Sequence, residues 1–454
     1  MKFIFLALFI SQNLWAKNIS SEEVETLKWS GVDVVWIKDD RFPTYFMNVY
    51  FADGALGDGN VKGSTAMTMS MLTSGTRRYD QKSIADILDF FAVSLDSNVN
   101  HEYTRFEVSG LIKDIVPTMK KICHLFQDSS YPPKEIKKQI KQHHALLSNI
   151  ESDHRALADM IFREVSMKGS QFAYPVIGKM RDHIKFKSDV LRLRLKELNE
   201  KVKKRIYITG PREVLKIEKI ITEECGWNGK ADFVRAVTPE KHNFASNGPQ
   251  IFLVPVKKAN QSQVRIGRIL EKNEVDPSDE RHGLLGEVLA GGFTSILMDE
   301  LRTKRGLVYG VGAFSAGQRD YGRALISTQT RNEKVVELIN VVKESLDKLS
   351  KGDLAPQKFD LIKRGRAGSY PFRFEEIEHY LFQLMMMDHL GLSYDELYKT
   401  PEKIQSYSLQ DIASLTSNVF DWSKQTILVL GEKSLLSELQ KLGKVTVLNY
   451  KDFL

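Results

Sequence analysis

Apolar, β-branched and aromatic side chains are concentrated at 32–37 and 45–52, with turn formers on either side. That pattern predicts two strands. A loop with four glycines follows, and then a helix over 64–72 with Ser64 and Thr65 as cap candidates. Helical spacing of apolar residues continues at 82–91, 115–126, 132–150, 155–166 and 185–204, while 94–98 and 103–111 alternate as strands. A strand at 205–209 closes the series at Gly210-Pro211.

After a polar stretch around 234–250 the order repeats. Strands are predicted at 251–256, 263–269, 324–329 and 425–430. Helices are predicted at 335–349, 357–369, 375–390 and 408–419, with one over 279–301 interrupted at Gly291-Gly292. Arg205 to Gly210 and Gln425 to Gly431 are matching strand ends. The expected fold class is α+β: two homologous α/β-sandwich domains, each a copy of one sheet-plus-helices unit. A length of 454 residues is too great for one core and agrees with two domains of roughly 200 residues. The predicted boundaries are a leader at 1–16, a first domain at 17–233, a linker at 234–250 and a second domain at 251–454.

Composition adds little to the fold. The chain is 42% hydrophobic and 27% charged, which excludes a disordered or fibrous protein. The net charge is +7, and the Lys and Arg residues are spread along the chain with local concentrations at 134–141 and 185–205, where apolar residues recur at helical spacing. Those basic runs read as solvated helix faces, and no nucleic-acid-binding motif accompanies them. The start of the chain changes the picture more. Lys2, the apolar run 3–10 and Ala16 form a secretory leader pattern, and eight apolar residues are too few to span a bilayer. The mature protein is therefore expected to be exported, and periplasmic if the source has two membranes, with no membrane span. Cys123 and Cys225 belong to no metal-binding pattern. Pairing in an oxidising compartment and two buried thiols both remain open.

The segment from Gly63 to Thr76, G-S-T-A-M-T-M-S-M-L-T-S-G-T, resembles the active-site helix of the insulinase/pitrilysin metallopeptidase family, G-x-A-H-F-L-E-H-M-L-x-x-G-T. The segment from Leu289 to Val311 is similar to the family's L-G-G-G-F-S-S-x-L-x-x-E-L-R-x-K-R-G-L-A-Y-x-V, and 391–412 matches its C-terminal pattern. The likeness extends over the mature chain and is nearest to the bacterial branch related to mitochondrial processing peptidase. It implies two insulinase-like domains, the first with a degenerate zinc motif.

In an H-x-x-E-H helix, two histidines at i and i+4 share one face and bind zinc, and the Glu activates the metal-bound water. Here the histidine positions hold Ala66 and Ser70, and the Glu position holds Met69. The family's third ligand, a downstream Glu, falls on Gln142 or Asn149. The resemblance thus implies a non-catalytic chain with no cofactor of its own. His143, His144 and His154 are the remaining imidazoles near those positions. The first two point about 100° apart on a helix, and all three read as solvated helix histidines.

The resemblance also implies that Arg302 and Tyr309, seven residues apart, hold the substrate backbone and the tetrahedral intermediate. Both are donors suited to a carbonyl oxygen that gains negative charge. The plainer alternative is an Arg paired with Glu300 or Asp299 and a core Tyr. Gly291-Gly292 reads as a close backbone turn.

Two functions from different classes follow. The first is a substrate-binding subunit of an exported heterodimeric zinc metallopeptidase. Its partner would be a zinc-bearing paralogue with an intact H-x-x-E-H motif, its substrates unstructured peptides, and zinc would sit only on the partner. The second is a catalytically dead homodimeric scaffold or peptide-binding protein. No Ser/His/Asp, Cys/His or phosphate-loop signature supports an unrelated enzyme, and no nucleic-acid partner is expected.

Overall fold

The computed structural model describes residues 24–237, 248–257 and 259–454. The expected leader lies outside the described residues, as does most of the expected linker.

Among the described residues the chain builds two six-stranded mixed sheets with helices. The first contains β1 (Val24–Trp29), β2 (Val32–Lys38), β3 (Thr44–Phe51), β4 (Ser94–Val99), β5 (Thr104–Leu111) and β6 (Lys204–Gly210), in the order β1-β2-β6-β3-β5-β4. The second contains β7 (Gln250–Pro255), β8 (Gln261–Leu270), β9 (Val311–Gly317), β10 (Gly322–Arg331), β11 (Thr426–Gly431) and β12 (Val445–Val447), in the order β12-β7-β11-β8-β10-β9. In each sheet the last central strand, β6 or β11, lies parallel to the first, β2 or β7, and antiparallel to the second, β3 or β8. The duplication predicted from strand order is therefore present in five strands of each sheet. The outer strands break it: β1 forms an antiparallel pair with β2, whereas β12 runs parallel to β7.

Alternation along the strands explains the layering. On β3, Tyr45, Met47, Val49 and Phe51 face the first core, and Phe46 and Tyr50 face the opposite side. Each sheet thus carries apolar side chains on both faces and needs two covering layers. Its own helices supply one layer, and the other half of the chain supplies the second. The helix Ile377–Leu390 lays Tyr380, Leu381 and Leu384 on Val35, Ile37 and Tyr207 of the first sheet. Reciprocally, the helix His154–Ser166 lays Leu157, Ile161 and Phe162 on Leu325, Leu428 and Leu430 of the second. Polar contacts fix both crossings. Tyr207 donates to Asp388 at 2.7 Å, Arg205 pairs with Asp388 at 2.5 Å, and Arg265 pairs with Asp159 at 2.5 Å.

Several elements differ from the sequence reading. The helix expected over 185–204 is Ser188–Glu200, because His183–Lys185 forms a separate 3-10 turn. The helix expected over 279–301 is two elements, Arg281–Ala290 and a π-helical turn Met298–Thr303. The strands β1, β9 and β12 and the helix Asp395–Ser406 add to it. Cys123 and Cys225 form a disulfide across 102 residues, tying the helix Ile115–Asp128 to the turn after Ile220–Glu224. That closes one of the two alternatives left open by the sequence.

Candidate peptide-binding site

The helix Ser64–Ser70, which resembles the family's zinc helix in sequence, is held in a well-defined frame and carries no zinc donors. Asp58 accepts from the backbone N–H groups of Gly63 and Thr65, both at 2.8 Å, and so satisfies donors at the start of Ser64–Ser70. Gly63 holds a left-handed φ of +84°, and a Cβ there would strike the Ile177 carbonyl, so only glycine fits. Arg194 donates to Thr65 Oγ1 at 2.8 Å and pairs with Asp53 at 3.0 Å, locking the helix to the loop before it.

Within that frame Ala66 is half-buried, Met69 is 3% exposed within the first core, and Ser70 turns its hydroxyl to the Met67 carbonyl at 3.1 Å. Zinc needs nitrogen, thiolate or carboxylate donors at about 2.0–2.3 Å. Ala66 offers none, the Met69 thioether is packed in hydrocarbon, and the Ser70 hydroxyl is a poor ligand. The residues present do not fit the metal. Gln142 and Asn149 are exposed on Pro133–Asn149. Among the described residues, no group of three or more His, Cys, Asp or Glu side chains is placed to hold a metal ion.

His143 and His144 are not the solvated helix histidines that the sequence suggested. Both are half-buried and pack against the buried His183, with ring centres 5.7 Å and 5.2 Å away. Burial, then the neighbouring imidazoles, holds His143 below its ordinary pKa, and burial does the same to His183. His183 was missed because its partners lie some 40 residues upstream in an unrelated helix.

The second motif retains polar chemistry. Arg281–Ala290 ends at Gly291, and Gly292 accepts from Ser295 Oγ at 2.6 Å in a tight turn. The π-helical turn Met298–Thr303 follows, anchored through the buried Leu297 and Leu301. Such turns place side chains that a regular helix would face elsewhere. Gly306, at φ +58°, reverses the chain. Thr330 and Thr328 of β10 then pin the carbonyls of Leu307 and Gly310, at 2.6 Å and 2.7 Å, on either side of Tyr309.

The result is an exposed stack. The Arg302 guanidinium carbon lies 4.9 Å from the Tyr309 ring centre and 5.1 Å from that of Phe293. Tyr309 is 82% exposed and Phe293 74%. A cation over each ring is worth about 0.5–1 kcal/mol at an exposed site. The plainer alternative fails in both parts, since Tyr309 is not in the core and Arg302 is not paired with its neighbouring acids. Asp299 binds Lys304 at 3.2 Å and Lys358 at 3.7 Å, and Glu300 binds Lys304 at 2.6 Å and also Arg305. Among the described residues no carboxylate pairs with Arg302. Phe293 was missed because its closeness to Arg302 arises from the Gly291-Gly292 turn, which no local spacing reveals.

Tyr309 also stands at the rim of a cleft of about 390 Å³ drawn from both halves of the chain. The floor is Gln263, Ser327 and Gln329 of the second sheet, with Gln263 donating to Gln329 at 2.7 Å. One wall is Arg155 and Asp159, from the helix that the first half contributes.

The chain is similar to known proteins over most of its length. Residues 206–366 match the family described as the peptidase M16 inactive domain. The chain is 24% identical over 420 residues to the Helicobacter pylori protein named non-peptidase homolog YmxG, covering 90% of this chain and 93% of the relative. It is 20% identical over 354 residues to a Bacillus subtilis protein named uncharacterized zinc protease YmxG, covering 76% and 83%. A solved M16 inactive-domain structure from Pseudomonas fluorescens superposes with a TM-score of 0.79 at 19% identity, covering 90% of this chain and 98% of that one. The matches make the chain an inactive homologue of the insulinase or M16 peptidases.

Proposed function

We propose that this chain is the substrate-binding subunit of an exported heterodimeric zinc metallopeptidase. It would present Arg302 and Tyr309 to unstructured peptides, while zinc and its general base sit on a partner chain with an intact H-x-x-E-H helix. One observation carries the reading: Arg302 is stacked on an exposed tyrosine and has no carboxylate partner among the described residues. A purely structural arginine on this surface would have Asp299 or Glu300 within reach, yet lysines and Arg305 hold both.

Two further features support the setting. The Cys123–Cys225 disulfide suits an oxidising, extracytoplasmic compartment, in keeping with the leader pattern. The two sheets support assigning 17–233 and 251–454 to two domains around a linker at 234–250. No helix among the described residues is long and apolar enough to cross a membrane.

The test is the mass of the assembly. The purified chain is mixed with an M16 paralogue from the same genome that retains H-x-x-E-H, and the products are weighed by sedimentation. A one-to-one complex of the two chains is expected. Separate species, with this chain self-associated, would replace the proposal with a homodimeric scaffold or peptide-binding protein.

A further inference from the structure

The second ring beside Arg302 carries an inference about what the site reads, and it rests on the peptide-binding proposal above. A guanidinium is planar, with its N–H donors directed outward in that plane. Phe293 and Tyr309 approach the same guanidinium at 5.1 Å and 4.9 Å. Rings against a guanidinium restrict approach to its in-plane edges, where two parallel N–H groups match a carboxylate. Both rings are themselves exposed, so nothing else in the described fold requires them there.

Charge points the same way. Between Met298 and Gly310 the fixed charges are Asp299 and Glu300 against Arg302, Lys304 and Arg305. The two acids are taken by Lys304, Lys358 and Arg305, which leaves Arg302 as the cation without a counter-ion in the segment. The cleft beside Tyr309 has the same sign. Arg265 is paired with Asp159, and among the described residues Arg155 on the cleft wall has no acid partner. A neutral peptide carbonyl would leave both charges uncompensated; an anionic group neutralises one and accepts two donors at once.

We propose that Phe293, Arg302 and Tyr309 form a carboxylate clamp, with Phe293 as a positioning residue that fixes the plane of the guanidinium. The ligand class is an extended peptide bearing a carboxylate, either its own C-terminus or an Asp or Glu side chain.

The experiment uses the full chain and three short N-acetylated Gly/Ser/Leu peptides in a calorimeter. One has a free C-terminal acid, one is the same peptide as a C-terminal amide, and one is that amide with a central Glu. At least one carboxylate-bearing peptide should bind about tenfold more tightly than the neutral amide, the scale of a charge-assisted contact. Which of the two does so identifies the source of the carboxylate. Arg302→Gln should erase the preference. Phe293→Leu should weaken it about threefold, the scale of one exposed cation–ring contact, while Phe293→Tyr should preserve it. Equal affinity for all three peptides would overturn the clamp and leave peptide binding standing. Binding of none would remove the peptide-binding reading and the clamp with it. A Phe293→Leu variant with the wild-type preference would remove Phe293 from the clamp.

Discussion

Arg302 and Tyr309 stack at 4.9 Å on the surface of an inactive M16 peptidase homologue. The stack makes no hydrogen bond that the fold depends on, so its loss should be cheap in stability and costly in function. Arg302→Ala should lower stability by less than about 1 kcal/mol and should abolish peptide turnover by the proposed heterodimer. Thermal melting checks the first and a peptide cleavage assay the second. Unchanged turnover would return the pair to a structural role.

A glutamate at position 69 should be poorly tolerated. Met69 is 3% exposed and packs in the first core, so Met69→Glu would bury a carboxyl group without a designed partner. A cost of at least about 3 kcal/mol is expected, seen as a depressed melting temperature. A Met69→Glu variant as stable as the parent would show that the site is more open than its packing indicates.

The disulfide should matter in proportion to the loop it closes. Cys123–Cys225 spans 102 residues, and Cys123→Ser should cost about 2–5 kcal/mol. Reductant should lower the melting temperature of the parent and leave the variant unmoved. An equal response in both would contradict the bond.

Stability should fall on mild acidification. His101 is buried, donates through Nε2 to the Tyr174 carbonyl at 2.8 Å and accepts from Arg163 at 3.0 Å. Burial, then the Arg163 charge, pushes its pKa from 6.5 down to about 4. Between those values the unfolded chain takes up a proton that the folded chain refuses, so stability falls as pH drops from 6.5 towards 4. The slope approaches about 1.4 kcal/mol per pH unit for one such group. His143 and His183, also lowered by burial, act in the same sense. Melting curves between pH 7 and pH 4.5 test this, and His101→Gln should flatten them. A melting temperature constant across that range would contradict it.

The family frame was legible because local sequence carries it. The spacing of Arg302 and Tyr309, the glycines around Ser64–Ser70, and the strand ends at Gly210 and Gly431 are all short-range signals. Features that depend on distant parts of the chain were not legible. His183 joins His143 and His144 from another element, and Phe293 reaches Arg302 through a turn. Asp299 looked available to Arg302 in sequence, yet Lys358 reaches it from the helix Pro356–Ser369. The strand β9, Val-Gly-Ala-Phe-Ser-Ala-Gly, has little strand propensity and forms because it pairs with β10 along seven residues. The helix Asp395–Ser406 was hidden by Pro401 in its interior.

The most direct test of the central claim is cleavage of a quenched fluorescent peptide by this chain alone, by a zinc-bearing M16 paralogue from the same genome alone, and by their mixture. The account predicts turnover only in the mixture, lost again when this chain carries Arg302→Ala. A mixture no more active than the paralogue alone would contradict it.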